Sequence, residues 1–334
     1  MLILALYPNL LNVSFMYISR KGDLPVLEKF SDFQSKIKLS SKLIYWLAYE
    51  TNNDRYVTYY ISKSSGKKRE INEPCLALKL IQKWILVNIL EKLNVSQYSY
   101  GFKKGDCNPM KECASMHKDN IYLMKLDIEN FYNSISKKKV RKIFSSIYNP
   151  EIAYLLTNLC VHKNCLPQGA PTSAYLANLV SISLDNRIAG YCNKHKIIYT
   201  RYADDMFFSC NNRQALRELY PMVNRIIKSE GYSLNLSKTN FKSVSSKRSI
   251  LGITINDGNL KCSKELKRNI RSIIYNSLMQ GDYSMNDKVR GYIAYVDSVE
   301  DGYKVKCTKY IEGLLKSDKI SRKNKKLYYQ FPIF

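Results

Sequence analysis

The chain has 334 residues, 45% of them hydrophobic, enough for one large or two to three small packed domains and too apolar for a disordered tail. Lys and Arg number 53 against 28 Asp and Glu, and the formal charge of +25 points to a polyanionic partner, since a small-molecule enzyme has no evident use for it. The 27 Tyr, interleaved with Lys, suit a surface that attracts phosphates and stacks on bases.

The opening MLILALYPNLLNVSFMYISR is apolar, but it lacks a basic leader and is interrupted by Pro8, Asn9 and Asn12. It falls short of the roughly 20 apolar residues a membrane span needs. It reads as a strand or helix packed on the domain, or as a start placed too early given Met16, and no other segment could cross a bilayer. The basic run from Lys63 to Arg69 (KSSGKKR) parts VTYYI from EINEP and predicts a hairpin turn around Gly66. Over 75–93, Leu76, Leu80, Trp84, Ile85 and Leu93 recur at near-helical spacing and predict an amphipathic helix. IYLMKLDI (121–128) reads as a buried strand, Ala174 to Ile188 as helix, and IIYTRYADDMFFSC (197–210) as two strands joined by a tight turn.

From Lys261 to Phe334 there are 16 Lys or Arg against 8 acids. Ser263 can cap a helix there whose apolar stripe is Leu266, Ile270, Ile273 and Leu278. Lys264, Lys267, Arg268 and Arg271 fall on another face at i, i+3, i+4, i+7, a row that either tracks a phosphate backbone or is merely solvated. The nine Cys (75, 107, 113, 160, 165, 192, 210, 262, 307) form no C-x-x-C pair and read as reduced thiols of a cytoplasmic protein. With His117, His162 and His195 also unclustered, no zinc spacing is present.

Asp204 and Asp205 stand in apolar surroundings (RYADDMFF), where burying two acids uncompensated costs several kcal/mol each, so something cationic should neutralise them. Asp127, which also interrupts an apolar strand, is the best third carboxylate. Hard oxygen ligands of this kind suit Mg²⁺. Two such ions roughly 3.5 to 4 Å apart would activate a 3′-hydroxyl and stabilise leaving pyrophosphate, which makes the chemistry phosphoryl transfer.

Taken in order, LDIENFY (126–132), LPQGAPTSAYLANL (166–179), RYADD (201–205) and LGITIND (251–257) resemble a reverse transcriptase, specifically the bacterial retron type. KKREI with LKLIQKWILVNIL is similar to that family's fingers, SYGFKKG (99–105) to its next block and RGYIAYVDSV (290–299) to its thumb. The resemblance implies an α+β right-hand polymerase fold, with fingers, a palm on an antiparallel sheet and a helical thumb. Residues 1–60 would be an N-terminal segment and the start of the fingers, 61–120 fingers, 121–257 palm with fingers helices interleaved at about 138–180, and 258–334 a basic helical thumb.

It further implies that Asp127, Asp204 and Asp205 are catalytic and, with Ile128, bind two Mg²⁺ ions, for which Mn²⁺ could substitute. Lys68, Arg69, Tyr132, Gln168 and Ala203 would bind the incoming dNTP, Tyr132 as a steric gate against the ribose 2′-hydroxyl and Arg69 as a bidentate triphosphate ligand. Gly252, beside Leu251, would support the primer end, and the row Lys264, Lys267, Arg268 and Arg271 the primer and template. Two elements depart from the retron pattern. Cys113-Ala114-Ser115-Met116-His117 keeps the Ala and His of Asn-Ala-x-x-His but not its Asn, and Ile250-Leu251-Gly252 replaces Val-Thr-Gly.

The implied activity is RNA-directed DNA synthesis on a dedicated structured noncoding RNA, primed from an internal guanosine 2′-hydroxyl to give branched RNA-linked single-stranded DNA (msDNA). An antiphage role with a separate toxic effector protein follows from the same resemblance. The alternatives are a reverse transcriptase of the group II intron or abortive-infection kind, and an RNA-binding scaffold whose polymerase site is unused.

Overall fold

The structure is a computed structural model that describes residues 23–50, 55–62, 66, 68–103, 105, 108–243, 245–330 and 332–333. The reading of the first 20 residues lies outside this set, as do residues 63–65 and 67 of the first turn. Helices α1 (Phe30–Ile37) and α2 (Ser41–Tyr49) open the fold, the first fastened by Asp32, whose carboxylate accepts the Glu28 and Lys29 amides at 2.9 Å, the second capped by Ser40. Strands β1 (Tyr56–Ser62) and β2 (Lys68–Pro74) pair antiparallel, Ser62 against Lys68 and Ile61 against Arg69, so the predicted hairpin is present.

The predicted helix follows as α3 (Leu76–Asn88), continued by a 3₁₀ turn at Leu90–Lys92, but its buried face is only partly the expected one: Ile85 and Leu93 are buried as read. Leu76 and Leu80 are exposed, while Leu78, Ile81, Gln82 and Ile85 are buried. The side-chain amide of Gln82 accompanies the rotation: its NH2 group donates to the Tyr56 hydroxyl at 2.9 Å and the Leu159 carbonyl at 2.8 Å, so both donors of this core residue are satisfied, while its carboxamide oxygen is left without a partner.

Further along lie α4 (Pro109–Ser115), β3 (Tyr122–Asp127), α5 (Lys137–Ser145) and α6 (Pro150–Cys160), the last begun by Asn149 as cap and Pro150 at the first helical position. The helix predicted over 174–188 is two, α7 (Ser173–Val180) and α8 (Ile182–Lys194), parted at Ser181. Strands β4 (Ile198–Tyr202) and β5 (Asp205–Cys210) form the predicted hairpin, whose two-residue connection dictates antiparallel pairing. They are followed by α9 (Arg213–Ser229) and β6 (Asn240–Lys242), and the four strands make a sheet in the order β4-β5-β3-β6. Met124, Leu126, Phe207 and Phe208 are among its buried residues, Phe208 stacked on Tyr199 at 5.0 Å.

A small antiparallel sheet, β7 (Ser249–Ile250), β8 (Ile253–Thr254) and β9 (Lys261–Cys262), precedes four helices. These are α10 (Lys264–Gln280), α11 (Asn286–Val299), α12 (Tyr303–Lys316) and α13 (Arg322–Gln330). Ser263 caps α10 through the Leu266 amide as expected, and Ile270, Ile274 and Leu278 are buried along it. The described residues fall into two compact units, one drawn from 1–106, 124–208 and 212–240, the other from 107–123, 209–211 and 241–334.

Candidate functional site

In the first unit, Asp127 ends β3 and is 2% exposed, while Asp204 and Asp205 stand at the turn between β4 and β5. The Ile128 amide donates to the Asp204 carbonyl at 2.9 Å, and the Asp127 carbonyl accepts the Asn235 amide at 2.8 Å. These backbone bonds bring the strand end and the turn together. Ala203 leads the turn with φ of 54°, an uncommon conformation for a residue with a side chain.

A buried polar cluster holds that turn. The Arg201 guanidinium donates to both oxygens of Asp185 at 2.7 Å, both side chains fully buried. It also donates to Asn178 Oδ1 and to the Ala203 carbonyl, each at 3.1 Å. Tyr199 donates to Asp185 Oδ1 at 2.7 Å, and Asn178 donates to the Gly101 carbonyl at 2.7 Å. Burial alone would disfavour the Arg201 charge, but Asp185 overcomes it and the guanidinium is held more firmly protonated than usual.

The cation expected near the aspartates is present twice. Lys238 Nζ donates to Asp127 Oδ2 at 2.6 Å, and Lys125 Nζ lies 2.8 Å from Asp205 Oδ1. Asp204 titrates above the usual carboxylate range, first because it is buried, then because Asp205 and Asp127 crowd it with like charge. Desolvation works against the Lys238 ammonium, yet the hydrogen bond to Asp127 and the fields of Asp127, Asp204 and Asp205 raise its pKa. One ammonium therefore feels all three carboxylates. Lys125 was within reach of sequence reasoning, because it shares a strand face with Asp127 two positions on. Lys238 carries no local signal of its place.

Among the described residues no group of three or more His, Cys, Asp or Glu already stands gathered as a metal cage. The donor set is nonetheless of the hard-oxygen kind that divalent cations take, and Lys238 supplies a positive charge at the spot where the carboxylates need one.

Of the residues assigned to the nucleotide, Lys68 and Arg69 are exposed at the start of β2. The Gln168 carbonyl accepts the Asn72 amide of that strand at 2.7 Å. Gly169 has φ of +118°, and a Cβ there would stand 2.9 Å from the Asn72 carbonyl, so the loop 166–171 lies on β2 as only glycine permits. Burial, followed by the charge of Asp204, pushes the Tyr132 hydroxyl up to about 12, with Arg201 and Arg69 acting in the opposite sense. Tyr132 is thus within electrostatic reach of both Asp204 and the β2 cation Arg69.

In the second unit, Leu251 and Gly252 form the two-residue turn between β7 and β8, with φ of 50° and 84°. Positive φ at both positions is the signature of a tight hairpin turn, and a leucine there is strained. The basic row of α10 is not uniform. Lys264, Arg268 and Arg271 are exposed, Arg271 over the Tyr310 ring at 5.8 Å, but Lys267 is paired with Glu300 at 2.8 and 2.9 Å, and Glu300 also accepts the Cys262 amide. As it stands, Lys267 ties α10 to α11. His117 is buried, its Nδ1 2.7 Å from Ser209 Oγ, and burial depresses its pKa to about 3.

The family model described as reverse transcriptase (RNA-dependent DNA polymerase) matches residues 61–255. Retron Ec86 reverse transcriptase of Escherichia coli is 34% identical over 300 residues, 89% of this chain and 92% of that one. Retron Mx65 reverse transcriptase of Myxococcus xanthus is 30% identical (72% of this chain, 60% of that one), and retron Se72 reverse transcriptase of Salmonella heidelberg (strain 579083-10) 32% (70% and 63%). The matched span holds Asp127, Asp204 and Asp205, the strap that loop 166–171 lays on β2, and the turn at Gly252. With that span and the Ec86 likeness along most of its length, the chain belongs to the reverse transcriptase family as a retron-type RNA-directed DNA polymerase, an α+β protein of the right-hand polymerase fold.

Proposed function

We propose that this chain copies a dedicated structured noncoding RNA into single-stranded DNA, starting from a 2′-hydroxyl of that RNA so that the product stays branched. The observation that supports the catalytic assignment best is that the Lys238 ammonium, bonded to Asp127, also feels the charges of Asp204 and Asp205. Mg²⁺ bound by these carboxylates and the Ile128 carbonyl would supply Lewis-acid polarisation of the phosphates and a more acidic hydroxyl. Arg69, with Lys68, holds the triphosphate from β2, and Gln168 is fixed beside that strand by its own backbone. Tyr132, half-buried and within the field of Asp204, presents its ring where a ribose 2′-hydroxyl would collide, and Ala203 lines the nucleotide through the turn it leads.

In this reading fingers span 61–120, palm 121–257 and a basic thumb 258–334, with Gly252 at the primer end and Lys264, Arg268 and Arg271 along the nucleic acid. The relatives are named as retron reverse transcriptases, which favours a noncoding RNA template and its DNA product as partners. A separate effector protein in an antiphage system is part of the same proposal. No helix among the described residues is long and apolar enough to cross a membrane. The nine scattered cysteines, with no C-x-x-C pair, favour a reducing cytoplasm as the setting.

The test is to purify the protein from its host and treat the accompanying nucleic acid with RNase, DNase and debranching enzyme before sequencing. A discrete DNA joined 2′,5′ to one RNA is expected, and Asp204→Asn with Asp205→Asn should abolish it. Heterogeneous RNA without linked DNA, or DNA synthesis that survives the double substitution, would overturn the proposal.

A further inference from the structure

We propose that Asn72 is a positioning residue for nucleotide binding: it holds the Glu70 carboxylate away from Lys68 and so keeps the positive end of β2 open to a triphosphate. The inference rests on the reading of Lys68 and Arg69 as triphosphate ligands, and adds to it the residue that keeps them available.

Side chains alternate between the two faces of a strand, so Lys68, Glu70 and Asn72 share one face of β2, with Arg69 and Ile71 on the other. The register sets Ser62, Tyr60 and Thr58 of β1 opposite the first three. Lys68, Arg69 and Glu70 are exposed. Residues two apart on one face stand roughly 7 Å from each other along a strand, a gap that a lysine and a glutamate close easily. An ion pair there would cancel much of the charge a triphosphate needs. Among the described residues, however, none of Lys68, Arg69 and Glu70 is in an ion pair.

Glu70 is engaged in the other direction along the strand. Its Oε1 accepts a hydrogen bond from Asn72 Nδ2 at 3.0 Å, while Asn72 Oδ1 accepts one from the Thr58 hydroxyl at 2.8 Å. Turning the carboxamide over would set its oxygen against the carboxylate, so the two partners fix its orientation. Asn72 is 7% exposed, at a strand position where a β-branched apolar residue would be the ordinary choice. The main chain of the same residue donates to the Gln168 carbonyl at 2.7 Å. Through its backbone Asn72 thus holds one wall of the nucleotide site, and through its side chain it governs the charge of the other.

Single addition of a dNTP to an annealed RNA template and DNA primer by the full-length protein reads KM and kcat. Inhibition by tripolyphosphate reads the phosphate-binding wall without a base. Asn72→Asp keeps the shape and the Thr58 bond but loses the donor to Glu70. It should raise the KM and the tripolyphosphate Ki together by about two- to fivefold, the range of one exposed ion pair, with kcat unchanged. Adding Glu70→Gln restores the bond with donor and acceptor exchanged and should return both constants to near their original values. Asn72→Val, which removes both side-chain bonds and adds no charge, should raise them too and be rescued by Glu70→Gln in the same way. Lys68→Ala tests the reading beneath: an unchanged Ki would remove that reading and this inference with it. With Lys68→Ala effective, three results would overturn the role of Asn72 alone. They are an unaltered Ki in both Asn72 variants, a KM that rises without the Ki, which would place the effect in the Gln168 loop, and a failure of Glu70→Gln to rescue.

Discussion

Arg201→Met separates the support of the turn from the chemistry at it. The side chain it removes makes two 2.7 Å bonds to Asp185 and two 3.1 Å bonds, to Asn178 and to the Ala203 carbonyl, in a place without solvent. Methionine nearly preserves the volume, so the loss is electrostatic. It strands Asp185 with Tyr199 as its remaining donor, a situation that costs about 3–5 kcal/mol in other buried pairs. Urea unfolding followed by circular dichroism should show the transition shifted by that amount, with the slope unchanged. Adding Asp185→Leu removes the stranded charge as well and should restore most of the stability. It should not restore polymerisation, because the Ala203 carbonyl still lacks its donor and the turn carrying Asp204 and Asp205 is no longer held. A loss under about 1 kcal/mol for the single variant, or a double variant no more stable than the single, would refute the reasoning.

Further outcomes follow from the same geometry. Asp204→Asn should raise the melting temperature near neutral pH although it abolishes synthesis. The raised pKa of Asp204 means the native state holds a proton more tightly than the unfolded chain, so stability falls as pH rises from about 4 through the native pKa, and the gain from Asn should vanish in acid. His117 has the opposite sign: with its pKa held down at about 3, its contribution is intact above about 6.5 and is lost as pH falls below that, which thermal melts across that range would read. Gly169→Ala, forcing a methyl to 2.9 Å from the Asn72 carbonyl at φ of +118°, should destabilise the strap by about 1–3 kcal/mol and raise the KM for dNTPs. An unchanged KM would show that the strap does not shape the nucleotide site. Tyr132→Ala should increase ribonucleotide incorporation severalfold, measured by alkaline cleavage of the product, and no increase would remove the gate from the account.

What could be read from sequence was what is local. The strand over 121–128 and the hairpin over 197–210 announce themselves by apolar runs broken by acids, and the demand that those acids be neutralised foretold a cation without saying which. Lys238 could not be named because it arrives from another part of the chain, 111 residues beyond Asp127. The face of α3 was misjudged for a different reason. Periodicity counts leucines, and it gives no weight to a glutamine that finds partners in the core. In α10 the basic row was legible as a row, but the capture of Lys267 by Glu300 depends on how α11 packs.

The bond between the Gln168 carbonyl and the Asn72 amide joins positions roughly a hundred residues apart, and it has a bearing on how the enzyme comes into being. Closing so long a loop is entropically slow work, and contacts of this range form late on the folding path. The aspartate hairpin can be native-like early, since its halves are neighbours in the chain. The wall opposite it is assembled only when the intervening helices have condensed. A chain in which the hairpin alone had formed would carry Asp204 and Asp205 in register without the Gln168–Asn72 bond. Because the cost of closure rises only logarithmically with length, the same bond tolerates insertions between its ends far better than a change of a single atom at Gly169.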